Sequence, residues 1–320
     1  MVNNEIIHIA LGVDDKYFAY AGILMTSILL NSFDNEIIFH VAVNGMLSDE
    51  NINRKNKFNN IYKKAQIKIY DLSQQIKDLP NLSAYTDKRF NKSILLRIFI
   101  PKILPDTIKR VIYLDADMLC IDNINFLWKL DIPYEYIIAA CPYKEKNGQE
   151  QIKRLGLQTD KYFNSGMMMI NLLAWKKYNI TEIISDCYKK FYEFFLLPDQ
   201  DAINVVLQNK IYTISYKFNR MIAANDPTLD LREKGDILLH FVNDSKPWIK
   251  GNTPEMERLY KYYVAKSLWS DIKFIEPETL EMMLLAGRNY EEKRDFERAA
   301  YYYGNTAKKL MIEHLKYKYE

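Results

Sequence analysis

Residues 111–117 read Val-Ile-Tyr-Leu-Asp-Ala-Asp. The β-branched and aromatic run predicts a buried strand, with two carboxylates, Asp115 and Asp117, following at its end. In an extended segment the side chains at i and i+2 project to one face, so the pair looks the same way. Two carboxylates that close repel each other, and a shared cation relieves the repulsion. A metal held there is suited to bridging a diphosphate and neutralising it as a leaving group. The bland alternative is a turn in which Asp bonds its own backbone, and the triplet alone does not separate the two.

Further polar segments could join this pair. Gly12-Val13-Asp14-Asp15-Lys16-Tyr17 follows a strand expected over Ile6–Leu11. Phe163-Asn164-Ser165-Gly166 precedes the apolar run Met167–Ile170, which reads as core strand because thioethers fill irregular apolar gaps. Pro198-Asp199-Gln200-Asp201 opens a helix, where acidic side chains near the N-terminus are locally favourable. His240 begins a stretch ending in Lys246-Pro247-Trp248, after a strand expected over Ile237–Leu239. Taken alone, a His after an apolar strand is more often a satisfied core residue than a ligand. Arg97 reads equally as a structural ion-pair residue, Asn164 as a turn cap, and Trp248 as packing.

The elements that must position these groups alternate. Strands are expected at Ile6–Leu11, Ile37–Val43, Ala65–Tyr70, before Asp115, at Ile137–Cys141 and at Gly166–Asn171. Helical patterns begin near Tyr20 and Ser48, and span Ser93–Leu104 around Arg97. Such alternation predicts an open, mainly parallel sheet with helices on both faces. Ligands bind such sheets beyond the carboxyl ends of the strands, where Gly12–Tyr17 and Asp115–Asp117 both fall. Beyond about Thr253 the pattern is helical, over Pro254–Lys266 and Glu276–Leu315. Tyr290, Phe296, Ala299 and Tyr303 lie at helical spacing and resemble one tetratricopeptide-like hairpin, which cannot bury its own face alone. The expected organisation is a catalytic domain over 1–252 and a helical extension over 253–320.

Composition fits a globular α/β protein: 320 residues, 48% hydrophobic and 27% charged. A net charge of +3 is too small to point to nucleic acid. Glu5 interrupts any leader-like start, and the uncharged run Tyr17–Phe33 carries Thr26, Ser27, Asn31 and Ser32, so it reads as a buried helix rather than a membrane span. Cys120, Cys141 and Cys187 lack metal-site spacing and read as core thiols of a reducing cytoplasm.

Five motifs in order, Gly-Val-Asp-Asp-Lys-Tyr, Tyr-Leu-Asp-Ala-Asp, Phe-Asn-Ser-Gly, Asp-Gln-Asp and His-x5-Lys-Pro-Trp, resemble family-eight glycosyltransferases over roughly residues 5–250. That family includes bacterial lipopolysaccharide galactosyl- and glucosyltransferases and glycogenin. The resemblance implies a GT-A fold, Rossmann-like and nucleotide-sugar-binding. It also implies a UDP-sugar donor carrying glucose or galactose, Mn²⁺ with Mg²⁺ as the alternative, and retention of anomeric configuration. By position it makes Asp115, Asp117 and His240 the metal ligands, a mixed O/N set that leaves room for phosphate oxygens. Gly12, Asp14 and Tyr17 would hold uracil and ribose. Ala116 would lie against the donor between the two carboxylates. Arg97, Asn164, Asp199 and Gln200 would surround the donor sugar, and Lys246 would meet the diphosphate. Asp199 and Gln200 are the expected catalytic pair. A glutamine amide is a poor nucleophile, which favours front-face transfer within an ion pair.

Three positions depart from the family pattern. Asn243 stands where many members have Gly, Lys16 where Asn often contacts the nucleotide, and Pro142 where some carry an acceptor-binding Asp. The expected acceptor is a glycan of surface polysaccharide or lipopolysaccharide, free or lipid-linked, reached by a cytoplasmic protein whose tail touches the inner face of the membrane. The alternatives are a nonhydrolytic nucleotide-sugar-binding adaptor, against which the intact Asp115/Asp117/His240 set counts, and a phosphohydrolase with an Asp-x-Asp nucleophile, for which the chain offers no second residue set.

Overall fold

The computed structural model describes residues 5–84, 86, 90–222, 235–243 and 246–319; Asp244 and Ser245 of the last motif lie outside them. The chain divides into two units, residues 1–220 with 235–239, and 221–234 with 240–320.

The strands are β1 (Ile7–Val13), β2 (Ile37–Val43), β3 (Ala65–Asp71), β4 (Arg110–Leu114), β5 (Met118–Cys120), β6 (Ile138–Pro142), β7 (Phe163–Asn171), β8 (Ile211–Thr213), β9 (Arg220–Ile222) and β10 (Leu238–Phe241). Seven of them form the first unit's main sheet, in the order β3-β2-β1-β4-β7-β6-β8. Only β7 runs against its neighbours, antiparallel to both β4 and β6, while the other pairings are parallel. Near-continuous burial along β1, β2, β4 and β7 means that both faces of the sheet's middle are covered. The edge strand β3 instead begins with alternation, Ala65 and Ile67 buried and Gln66 and Lys68 exposed.

The run from Tyr17 is a buried helix, Phe18–Asn31. Its polar side chains turn back on the backbone: Thr26 Oγ1 donates to the Gly22 carbonyl at 2.8 Å and Ser27 Oγ to the Leu24 carbonyl at 2.7 Å. Ser27 Oγ also accepts the backbone N–H of Cys120 at 3.0 Å, tying this helix to β5. Among the described residues no helix is long and apolar enough to cross a membrane.

Three expectations change in detail. Ser93–Leu104 is a 3-10 turn, Lys92–Leu95, followed by the helix Leu96–Ile103, because Asn91 caps the turn by accepting from the Ser93 N–H. The strand expected over Ile237–Leu239 starts later and runs through His240. The helical pattern Glu276–Leu315 is broken into Leu280–Glu292 and Phe296–Tyr319, since Arg294 takes a φ of 59° and reverses the chain.

In the second unit those two helices share a small core of Ala286, Tyr290, Ala299 and Tyr302, with the Tyr290 and Tyr302 rings stacked 5.5 Å apart. Phe296 does not join it: in the first turn it is 65% exposed, and the inward line runs through Ala299, Tyr302 and Thr306. Gly251 packs against this pair at φ 84°, where an added Cβ would sit 2.3 Å from the Ala286 Cβ. Trp248 is buried beside Tyr260, ring centres 5.9 Å apart, as a packing residue.

A polar chain crosses β1, β2 and β3. His8 Nδ1 and His40 Nε2 share a hydrogen bond of 3.0 Å, and His40 Nδ1 pairs with the Tyr70 hydroxyl at 2.9 Å. His40 is 1% exposed, and burial, then His8 and Lys68, holds its pKa down to about 3 against an ordinary 6.5. The unfolded chain therefore takes up this proton near pH 6.5 while the folded one does not, so stability falls as pH drops below that value. Between pH 7 and 5 the wild type should lose roughly 2 kcal/mol more than His40→Gln, read from urea unfolding at each pH. Parallel losses in the two proteins would remove His40 as the cause.

Candidate functional site

Strand direction assembles the site within the first unit. Parallel strands β1 and β4 end at the same edge, so Gly12 and Asp115 emerge there together. Because β7 is antiparallel, its beginning meets the end of β4: Leu114 pairs with Met167, and the Asp115 N–H donates to the Gly166 carbonyl at 2.8 Å. Asn164 and Ser165 are thereby delivered beside the carboxylates. The helix Pro198–Val206, with Pro198 in its first turn, buries Asp199, Gln200 and Asp201.

Arg97 stands at the centre. Its Nη2 lies 2.9 Å from Asp115 Oδ1 and its Nε 2.9 Å from Asp199 Oδ2. Nη1 donates to the carbonyl and the hydroxyl of Ser165, both at 2.9 Å, and the guanidinium lies 4.9 Å from the centre of the Tyr113 ring. Tyr113 donates its hydroxyl to Asp115 Oδ1 at 2.9 Å, and Ser165 Oγ donates to Asp199 Oδ2 at 3.1 Å. Burial would lower the Arg97 pKa, but Asp115 and Asp199 outweigh it and the net shift is upward. For Asp199 burial is the largest cause and raises the pKa, with Arg97 opposing and Asp115 reinforcing. One guanidinium thus pairs with two carboxylates from different parts of the sequence.

Asn164 and Gln200 form a second polar layer. Asn164 Nδ2 donates to Gln200 Oε1 at 3.1 Å, and the Ser165 N–H donates to the same oxygen at 3.0 Å. Asn164 also bonds Asn219, a residue that none of the sequence motifs includes. Tyr113, Tyr143, Tyr162, Ser165, Asp201 and Arg154 are likewise parts of this region that the motifs did not single out. Tyr113, Ser165 and Asp201 sat inside quoted motifs, and that was their only signal.

Beyond the end of β1, Asp14 Oδ1 accepts the Tyr17 N–H at 2.8 Å and Oδ2 accepts Asn91 Nδ2 at 2.7 Å, so this carboxylate shapes the turn after β1. Gly12 lies so close to Leu96 that an added Cβ would meet its Cβ at 3.1 Å. Tyr17 is 40% exposed, yet its hydroxyl is pushed up to about 12 by burial first and then by the Asp117 charge. Ala116 is buried between the two carboxylates, which are partly exposed. The first unit therefore brings Gly12, Asp14, Tyr17, Arg97, Asp115, Ala116, Asp117, Asn164, Asp199 and Gln200 to one sheet edge.

His240 and Lys246 belong to the second unit. His240 is buried on β10, directly after Leu239 of the first unit. Lys246 Nζ donates to the Phe241 carbonyl at 2.6 Å. Asn243 adopts φ 53°, the left-handed conformation that its replacement of Gly requires.

Residues 8–251 match the family model described as glycosyl transferase family 8. Among curated proteins, the chain is 30% identical to General stress protein A of Bacillus subtilis over 288 residues, covering 85% of this chain and 98% of that one. It is 24% identical to the lipopolysaccharide 1,3-galactosyltransferase of Salmonella typhimurium, covering 96% and 92%. Among solved structures, the galactosyltransferase LgtC in complex with donor and acceptor sugar analogs superposes with a TM-score of 0.68 at 22% identity, covering 82% and 96%. Mouse xyloside xylosyltransferase 1 superposes at 0.56 and 16% identity, covering 75% and 99%. The fold is GT-A.

Removing the central cation should leave two buried carboxylates facing each other. Arg97→Ala is expected to lower unfolding free energy by about 3–5 kcal/mol at neutral pH. Part of that loss should return in mildly acidic buffer, where Asp199 takes up a proton. Denaturant titrations at both pH values check this, and a loss independent of pH would place the damage in packing instead.

Proposed function

We propose that this chain, which belongs to glycosyl transferase family 8, transfers glucose or galactose from a UDP-sugar to a glycan acceptor with retention of configuration. The observation that carries the reading is the convergence of Asp115, Asp117, Arg97, Asn164, Asp199 and Gln200 on one edge of the sheet, beyond the ends of β1 and β4. That edge is where nucleotide ligands bind in open α/β sheets.

Asp115, Asp117 and His240 supply two carboxylates and an imidazole, residue types that suit a divalent cation such as Mn²⁺ or Mg²⁺. When bound, the cation would neutralise charge on the departing diphosphate. The chain's own residues would do the rest. Tyr113 and Arg97 hold Asp115 in place for that role. Gly12, Asp14, Tyr17 and Ala116 would line the nucleotide, with Gly12 admitting close backbone approach. Lys246 would add a positive charge at the diphosphate. Asn164 and Asp199 would bind sugar hydroxyls, and Gln200 would stand beside the reacting carbon. Asp199 is bound to Arg97 and Ser165, which supports an orienting role over attack on the sugar. That arrangement supports front-face transfer.

The lipopolysaccharide galactosyltransferase activity of the Salmonella relative supports an acceptor in lipopolysaccharide or another surface polysaccharide. Peripheral contact with the inner face of the membrane is supported by the exposed Tyr301, Leu310, Met311, Ile312 and Leu315 of the last helix. Deleting residues 271–320 should then abolish co-sedimentation with anionic vesicles, and retained binding would defeat this part of the proposal.

The decisive assay is UDP release from a panel of UDP-sugars with Mn²⁺. One hexose donor should be turned over, and Asp117→Ala should reduce turnover ~100-fold or more and weaken Mn²⁺ binding in calorimetry. UDP-sugar binding without turnover under any acceptor would instead indicate an adaptor. A trapped glycosyl-enzyme adduct would overturn front-face transfer.

A further inference from the structure

We propose that Arg154, Asp201 and Tyr162 form a positioning device that locks the side-chain amides of Gln200 and Asn164 in one orientation each. The inference rests on the reading of Gln200 as a residue at the reacting sugar.

Two backbone groups settle the orientations. The Ser165 N–H lies 3.0 Å from Gln200 Oε1, and the Gly166 N–H lies 3.0 Å from Asn164 Oδ1. A backbone N–H can only donate, so the side-chain atom facing each must be the carbonyl oxygen. The NH₂ group of Asn164 is then turned to Gln200 Oε1, and the NH₂ group of Gln200 to the Tyr162 oxygen at 3.0 Å. An amide NH₂ also only donates, so the Tyr162 oxygen must accept. The single Tyr162 proton is left for Asp201 Oδ1.

Every donation in the chain therefore has one direction. It starts at Asn219, whose Nδ2 donates to Asn164 Oδ1 at 2.8 Å, and continues through Asn164, Gln200 and Tyr162 to Asp201. Such a run needs an acceptor-only terminus, and an ionised carboxylate is one. Asp201 is 0% exposed, and all of its other partners are donors. Arg154 Nη2 lies 2.8 Å from both of its oxygens, and the N–H groups of Leu196 and Leu197 reach Oδ2 at 2.9 and 3.1 Å. Burial, then the Asp201 charge, raises the Tyr162 pKa well above its ordinary value, which keeps its proton in place.

Two consequences follow. Both lone pairs of Gln200 Oε1 are committed, to Asn164 and to Ser165, so Gln200 meets the sugar as a fixed dipole. Asp201, with five donor contacts, acts through Tyr162 and Gln200 and is a positioning residue, not a group that touches the substrate.

Tyr162→Phe tests this, because it keeps the ring and deletes the acceptor. In the UDP-release assay kcat should fall ~10–100-fold while KM for the donor stays within about threefold. The same substitution made in Gln200→Ala should cost nothing further, since Tyr162 works only through Gln200. A readout independent of turnover is hydrogen exchange of the Gln200 side-chain NH₂ in ¹⁵N-labelled full-length protein, its signal identified by loss in Gln200→Ala. That exchange should quicken ~10-fold or more in Tyr162→Phe, as a lost buried hydrogen bond requires. Arg154→Lys, altered at a partly exposed side chain, should move it in the same direction and serves if Tyr162→Phe does not fold. Unchanged kcat, multiplicative losses with Gln200→Ala, or unchanged exchange would each overturn the proposal. A wild type that turns over no donor defeats the functional reading instead, and amide exchange alone then decides the positioning.

Discussion

The first unit's sheet edge depends on one buried guanidinium. Arg97 lies between Asp115, at the end of β4, and Asp199, in the first turn of a helix. Two carboxylates in a buried setting repel and resist ionisation unless a cation is fixed among them. Arginine suits this task because its planar fork addresses several acceptors at once, and here it also meets both oxygens of Ser165. Charge balance at the edge is therefore built in. The metal-binding role proposed for Asp115 adds to a carboxylate already oriented by Arg97 and Tyr113.

From that centre the polar groups spread outward in order of decreasing freedom. Asp199 and Ser165 are fixed by Arg97, Asn164 and Gln200 by backbone N–H groups of β7, and Tyr162 by Asp201. Each buried polar atom in this series has a partner, as the cost of burying an unsatisfied group demands. The polar groups around Arg97 and Gln200 are densely paired, and dense pairing of this kind is what electrostatic preorganisation asks for.

Much of this was legible in the sequence. Continuous apolar runs marked β1, β2, β4 and β7, and polar residues next to the ends of β1, β4 and β7 are among those the structure gathers at one sheet edge. Asp115 and Asp117 could be read because a strand ends just before them. Arg97, Asn164 and Gln200 emerged from motif order, which carries no geometry. What could not be read was who bonds whom. Tyr162 with Asp201, Arg154 with Asp201 and Asn219 with Asn164 are partners across separate elements, set by the reversed direction of β7 and not by any local period. Local backbone detail was hidden for a different reason. The break at Arg294 and the extension of β10 through His240 depend on tertiary packing that overrides helix and strand propensity.

The single reversed strand also governs when the site can exist during synthesis. Were β7 parallel to β4, its closing residues would meet Asp115; because it is reversed, its opening residues Asn164 and Ser165 do. Arg97 and Asp115 emerge early from the ribosome, but the second carboxylate of Arg97 arrives only with Asp199, and the terminus of the amide chain only with Asp201. For the interval between, Arg97 has a single carboxylate partner and lacks the second one that Asp199 supplies in the finished fold. The nascent chain is thus an incomplete electrostatic unit until the helix Pro198–Val206 has been made and docked.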